Sequence, residues 1–521
     1  MDAKRTSPGW TDLAEKTGLD PLGMQNASTL LYQSLLPGIS NVTLRVRYYG
    51  LYPWLVDQYA RHIGNPDPIV WRQHIRRAEA IYALVAQRAG GETGVAGVTW
   101  ASEQLRQDVI SVPFALLDEE GGSRYLANEW GVYGAAYASQ LKEVGLLERV
   151  ERHEIPVPTI GFGETLAKCF APGSVGDLFF SVIQQGIVTV DQLDALASLA
   201  PSRLAIDGLE RDTYENALFD TNTDSVHPSS NAQSRKKSLQ LILYVADMLG
   251  RLPSAEDVRW ALYSSAMASG ECLPALSQDF EAHKSRWWVY QLSDISHVCL
   301  ETLLRYTLDV LEGYPSGIRP VELTKEVTSR IAHELDDPGL NWSEFRKTKA
   351  TTSSLWGKGA PVDAEQVIVS RIIKATGPNA ACTAKVALEA LSLLCAVANK
   401  ERVNRELIRV CLFGRGGGDA RSILTESAFL DGLDGETFVS ALNRIVNERV
   451  VHRHLWVALA KLRNQGDYTF LIEYDEGKIR LRQKSGPVLT EPRLDTSIRF
   501  LSDLRLLDKQ GVTNLGRRLI S

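Results

Sequence analysis

The 521-residue chain contains no run of about 18 apolar residues, so no membrane-spanning helix is expected. Its start, MDAKRTSPGWTDLAEK, has no apolar stretch behind the charges, so a secretory signal is not expected either. The six cysteines (Cys169, Cys272, Cys299, Cys382, Cys395 and Cys411) are scattered with no close pair. That spacing excludes a zinc ribbon, a thioredoxin-type motif and a disulfide framework, and it suits reduced thiols in a cytoplasm. Catalytic grammar is sparse. There is no His-Glu-x-x-His, no Gly-x-Ser-x-Gly, no Walker loop and no kinase set, and no cofactor is expected. His452 and His454 stand two apart, so on a helix they diverge and cannot readily share a metal. Lone His297, with Asp294 before it, reads as a satisfied histidine rather than a ligand.

What is present is ordinary in bulk and uneven in charge. Hydrophobic residues at 44% and charged residues at 23% describe a globular protein, and about 150 residues per domain gives roughly three domains. The net charge of −6 hides an asymmetry: residues 442–521 carry 15 Lys and Arg against 9 Asp and Glu, the rest 42 against 54. A basic end on an acidic body points either to a polyanion partner or to a solvated mixed-charge face.

The most informative stretch is Tyr133 to Phe170. Tyr137, Leu141 and Val144 share a helical face, and Gly145 sits where a left-handed cap is expected before Leu146–Leu147. The charged segment Glu148 to Glu154 leads to Ile155, Val157 and Ile160, interrupted by Pro156 and Pro158 as in an edge strand. Thr159-x-x-x-Gly163-x-x-Leu166 then opens a short helix. Residues 493–520 repeat this grammar: the helix SIRFLSDLRLLD, a short turn, and Thr513-x-x-Gly516-x-x-Leu519, one residue shorter. Both stretches resemble the second half of a winged-helix domain. The expected fold class is mainly α, a multi-domain helical protein with two winged-helix-like units and small hairpins near 148–160 and 468–482.

The chain order divides as a helical unit at 1–90, a first winged-helix-like unit at 91–172 and a helical connector at 173–219. A polar linker at 220–237, a central helical domain at 238–437 and a basic winged-helix-like unit at 438–521 follow. In the first block Tyr48, Tyr49, Tyr52, Trp54 and Tyr59 interleave with Arg45, Arg47 and Arg61, interrupted by Gly50 and Pro53. Such a stripe stacks bases or forms a core, and the core is the commoner use. The next helix carries Arg72, Arg76 and Arg77 on its polar side, GGETGVAG at 90–97 connects, and a helix is expected around Ala101–Val112. NWSEFRKTKATTSSLWGKG, read as a loop, holds Trp342 among Arg346, Lys347 and Lys349. Gly414-Arg415-Gly416-Gly417-Gly418 lacks the strand and Lys-Ser/Thr of a nucleotide loop and reads as a turn.

The overall pattern, helical with embedded winged helices and no catalytic motif, is similar to accessory proteins of bacterial phage-defence or DNA-processing operons. That resemblance implies a non-enzymatic subunit that binds DNA or other nucleic acid, other protein subunits, or both. The nucleic-acid-binding residues expected are Arg480, Arg482, Lys484, Arg499, Arg505, Arg517 and Arg518, with Trp342, Arg346, Lys347 and Lys349 as a second surface. Of the two recognition helices the C-terminal one is expected to be the better reader. The alternatives are a pure protein scaffold without nucleic-acid affinity and a metal-dependent nuclease using Asp475 and Glu476 beside Lys478.

Overall fold

A computed structural model describes residues 20–40, 42–114, 125–126, 128–151, 153–220, 230–274, 277–335, 337, 339–413 and 421–520. The fold is mainly helical, with short strands paired two by two. No single helix among the described residues is long and apolar enough to cross a membrane.

The chain forms two compact units that alternate along the sequence. The larger gathers residues 29–291, 355–360 and 491–521; the smaller gathers 1–28, 292–354 and 361–490. The block expected over 438–521 is therefore divided after Thr490. The glycine-rich stretch Gly414–Gly418 lies outside the described residues.

The larger unit is built round the helix Tyr48–His62. It runs through Gly50 and Pro53 without the expected interruption. Its tyrosines and Trp54 are buried, and rings pack against it from distant segments: Tyr137 on Tyr48 at 5.1 Å, Phe179 on Trp54 at 5.1 Å, and Phe500 on Tyr49 at 5.3 Å. A helix buried on all sides is a core element, so these aromatics are not a stacking surface. Gly50 has a packing reason, because any Cβ there would overlap the Tyr214 hydroxyl. Arg45 and Arg47 are also interior, while Arg61 is exposed and pairs with Asp57. Arg45 pairs with Glu92 and Asp503, and Arg47 makes a bidentate pair with Glu210 at 2.8 Å.

Three local expectations are corrected here. Arg76 and Arg77 are buried, and Arg77 donates to the Val112 and Ile183 carbonyls at 2.8 and 3.0 Å. The helix expected over 101–112 is Val98–Gln104 followed by the strand Val109–Ser111, which pairs with Ile187–Thr189. The polar segment 220–237 contains the start of the helix Ser230–Leu249. There Arg235 is buried and satisfies the Ala217 and Leu218 carbonyls, near the end of the helix Leu209–Phe219.

In the smaller unit, residues 292–312 of the helix Gln278–Glu312 are the centre. Ile295, Val298, Leu303 and Leu308 are fully buried. The hairpin Ile472–Asp475/Lys478–Leu481 turns on Glu476 and Gly477, both at positive φ, the signature of a tight two-residue turn. Residues 342–348, expected as loop, form a helix because Asn341 and Glu344 cap it reciprocally.

Candidate interface elements

The two stretches read as the end of a winged helix are built alike, bond for bond. In the first, the helix Ala138–Val144 ends at Gly145 in the left-handed region, and the Leu146 N–H donates back to Leu141. Leu147–Glu148 pairs antiparallel with Val157–Pro158. Thr159 closes the loop: its N–H donates to Leu146 at 3.1 Å and its hydroxyl to Gly145 at 2.6 Å. In the second, the helix Leu494–Asp503 is followed by Arg505 at φ 60°, and the Leu506 N–H donates back to Leu501. Leu507–Asp508 pairs with Gly511–Val512, and Thr513 donates to Leu506 at 3.1 Å and to Arg505 at 2.7 Å.

The glycine of each motif has the same role. A Cβ on Gly163 would overlap the Leu146 carbonyl oxygen, and one on Gly516 would overlap that of Leu506. Both glycines let a helix sit directly against the backbone of the preceding turn. Gly163→Ala and Gly516→Ala are each expected to cost about 2 kcal/mol, as overpacked sites do. Urea denaturation measures this; a loss below about half a kcal/mol at either site would show that the contact gives way.

The two motifs differ in what they leave open. In the C-terminal helix Leu494, Thr496, Ser497, Ile498, Phe500 and Leu501 are all buried, and Arg499 is only half-exposed. It is a core helix of the larger unit, with its hairpin laid against the end of the helix Ser230–Leu249. The first motif instead exposes Ala138, Ser139, Lys142 and Glu143 on its helix and most of its charged hairpin. That helix is entered through a π-helical turn, Tyr133–Tyr137, whose start is held by the buried carboxylate Glu79. Grooves flank the hairpin on both sides. One of about 340 Å³ runs between it and the helix, lined by Trp130, Tyr133, Lys142, Arg149 and Glu154. The other, of about 650 Å³, is more apolar and lies against Val56, Tyr59, Pro66 and Pro68.

The expected phosphate-binding residues are mostly engaged with carboxylates. In the smaller unit Arg480 pairs with Asp475 at 3.1 Å, Arg482 with Glu473 at 3.3 Å, and Lys484 with Asp309 and Glu312. In the larger unit Arg499 lies 3.8 Å from Asp503, Arg517 3.4 Å from Asp247, and Arg518 2.8 Å from Glu215. Arg505 is exposed. Trp342 is fully buried, stacked on Phe345, with its indole N–H given to the Leu430 carbonyl, so it is no stacking platform. Arg346 beside it is buried against Asp431 and Asp434, while Lys347 and Lys349 are exposed. Asp475 and Glu476 sit in an exposed turn, and no group of three candidate metal ligands occurs among the described residues. His454 is buried, accepts the Leu471 N–H at 2.8 Å and is pushed down to about 4 chiefly by burial. No protein-family model, curated protein or solved structure matches this chain.

Proposed function

We propose that the chain is a non-enzymatic subunit of a bacterial defence or DNA-processing assembly, and that it engages nucleic acid through its first winged-helix-like element. The observation that carries this reading is the exposed helix Ala138–Val144 with its projecting hairpin, beside a C-terminal counterpart that is buried. A winged helix presents such a helix to a groove and its hairpin to the flanking backbone. Lys142 and Arg149, which line the groove between helix and hairpin, are the phosphate contacts in this reading, and Gln140 is the base-edge contact.

The test is titration of labelled duplex and single-stranded DNA at two salt concentrations. Binding should weaken steeply with salt, and the double variant Lys142→Glu, Arg149→Glu should flatten the log–log slope by about 2. Absence of binding by the wild-type chain at low salt would reject the reading. A protein-scaffold role is the second reading, and the hairpin's charge favours it: Glu148, Glu151 and Glu154 outnumber Arg149 and Arg152. In that case a partner subunit co-purifies and the same double variant alters its capture rather than DNA binding.

A further inference from the structure

The smaller unit gathers a cationic group that the sequence motifs do not mark. Arg421 precedes the helix Ile423–Asp431; Arg449 lies in the π-helical turn Ile445–Val451, and Arg453 in the helix His452–Gln465 that follows it. Glu426, itself buried, is the one carboxylate among the described residues within ion-pair distance of this group. Arg453 reaches it at 2.7 Å and Arg449 at 3.7 Å. Three guanidiniums against one carboxylate leave an excess of positive charge. Arg449 Nε has no hydrogen-bond partner among the described residues. Burial, with the neighbouring Arg453 cation next, holds Arg421 below the usual arginine range. Such crowding destabilises the isolated chain and is relieved by a bound anion.

The accessible side of the group is aromatic. Arg421 lies 4.2 Å over the Trp456 ring and Arg449 3.9 Å over the Phe429 ring. Trp456 is 60% exposed, an unusual degree for a tryptophan, and Leu459 one turn on is also exposed. Guanidinium forks fit phosphate oxygens, and an exposed indole offers a face to an unpaired base.

We propose that Arg421 and Arg449, backed by Arg453, bind the phosphate of a nucleotide unit whose base stacks on Trp456. Only the source of that nucleotide, a single strand, rests on the nucleic-acid reading above; a free nucleotide presents the same chemistry.

The full-length chain is titrated with a fluorescent single strand, its duplex, adenosine monophosphate and inorganic phosphate. The single strand should bind more tightly than the duplex. Arg421→Ala and Trp456→Ala should each weaken it about tenfold. Arg409→Ala, which removes an exposed arginine paired with Glu406, should leave binding unchanged. Melting curves of the Trp456 variant, a surface change, establish that folding is intact. If the wild type binds the strand and neither variant differs from it, the subsite is wrong while the function reading stands. If only adenosine monophosphate binds, and both variants lose it, the subsite holds for a free nucleotide and the nucleic-acid reading falls. Binding of none of the four probes overturns both.

Discussion

Replacing His297 by leucine is expected to lower the stability of the smaller unit by about 3–5 kcal/mol, the usual cost of removing one partner from a buried ion pair. The ring lies fully buried between two carboxylates on its own helix, with Nε2 2.8 Å from Asp294 and Nδ1 3.3 Å from Glu301. Asp294 also accepts the Thr490 hydroxyl at 2.7 Å, and Glu301 accepts the Gln25 amide at 2.9 Å. Burial by itself would push the imidazole down. The Glu301 and Asp294 charges outweigh burial and hold it up at about 10, from an ordinary value of 6.5. A raised value means that the folded state binds the proton more tightly than the unfolded chain. The stabilisation is therefore complete below about 6.5 and is lost as pH rises through 10. Thermal melts across this window check both claims. The variant should melt roughly 10 °C lower near neutrality, and the gap should close as the pH is raised. A gap that stays constant to high pH would show that the ring is neutral in the fold.

Glu79→Ala is the second substitution expected to be severe, at about 3–5 kcal/mol, because it strands three donors at once. Glu79 Oε1 accepts the Tyr52 hydroxyl at 2.8 Å and the Tyr133 N–H at 2.7 Å, and Oε2 accepts the Val132 N–H at 2.9 Å. Burial raises this carboxyl to about 7 even though the two backbone donors pull it down. Its value is raised, so the fold is favoured at acid pH, and this contribution is lost as pH rises from 4.5 through 7. Glu79→Gln keeps one oxygen for the two Oε1 donors and sets its amide against the Val132 N–H alone. It should cost about 1–3 kcal/mol and remove the acid-side pH dependence. If the alanine and glutamine variants unfold at the same denaturant concentration, the hydrogen bonds are not what Glu79 contributes. The carboxylate also closes the π-helical turn that leads into the exposed helix Ala138–Val144. The alanine variant should therefore loosen the proposed interface as well as the core.

Much of the local architecture was legible because it is written in short-range chemistry. The left-handed Gly145, the Thr159 closure and the Thr513 echo of it all follow from neighbours within a few residues. So does the hairpin that turns on Glu476–Gly477. What was not legible depends on partners far away in the chain. The helix Leu494–Asp503 shows one apolar face, which promises burial of that face. Its Thr496 and Ser497 carry no sign that residues more than two hundred positions earlier cover them too. Arg346 read as a phosphate ligand because Asp431 and Asp434, which neutralise it, lie about ninety residues downstream. Likewise Arg76 and Arg77 read as the polar side of their helix, and each is interior because distant carbonyls receive it, Leu126 for Arg76 and Val112 and Ile183 for Arg77. One signal was available and missed. His452, Trp456, Leu459 and Arg463 recur at spacings of four and three, which puts an aromatic, an aliphatic and two basic groups on one helix face.

The alternation of the two units along the chain also sets an order of events on the ribosome. The larger unit begins with residue 29, yet Phe500 against Tyr49 and Asp503 on Arg45 belong to its interior. Its last strands and helices are synthesised only after the whole of 292–354 and 361–490. Until then Tyr49 has Tyr137 but not Phe500 against its ring, and Arg45 has Glu92 but not Asp503. The smaller unit meets no such delay, since all its segments precede residue 491. A nascent chain that has exposed everything up to residue 490, with the following segment still inside the ribosome, should therefore hold a finished smaller unit joined to an unfinished larger one, and that half-built state is where chaperones would find their substrate.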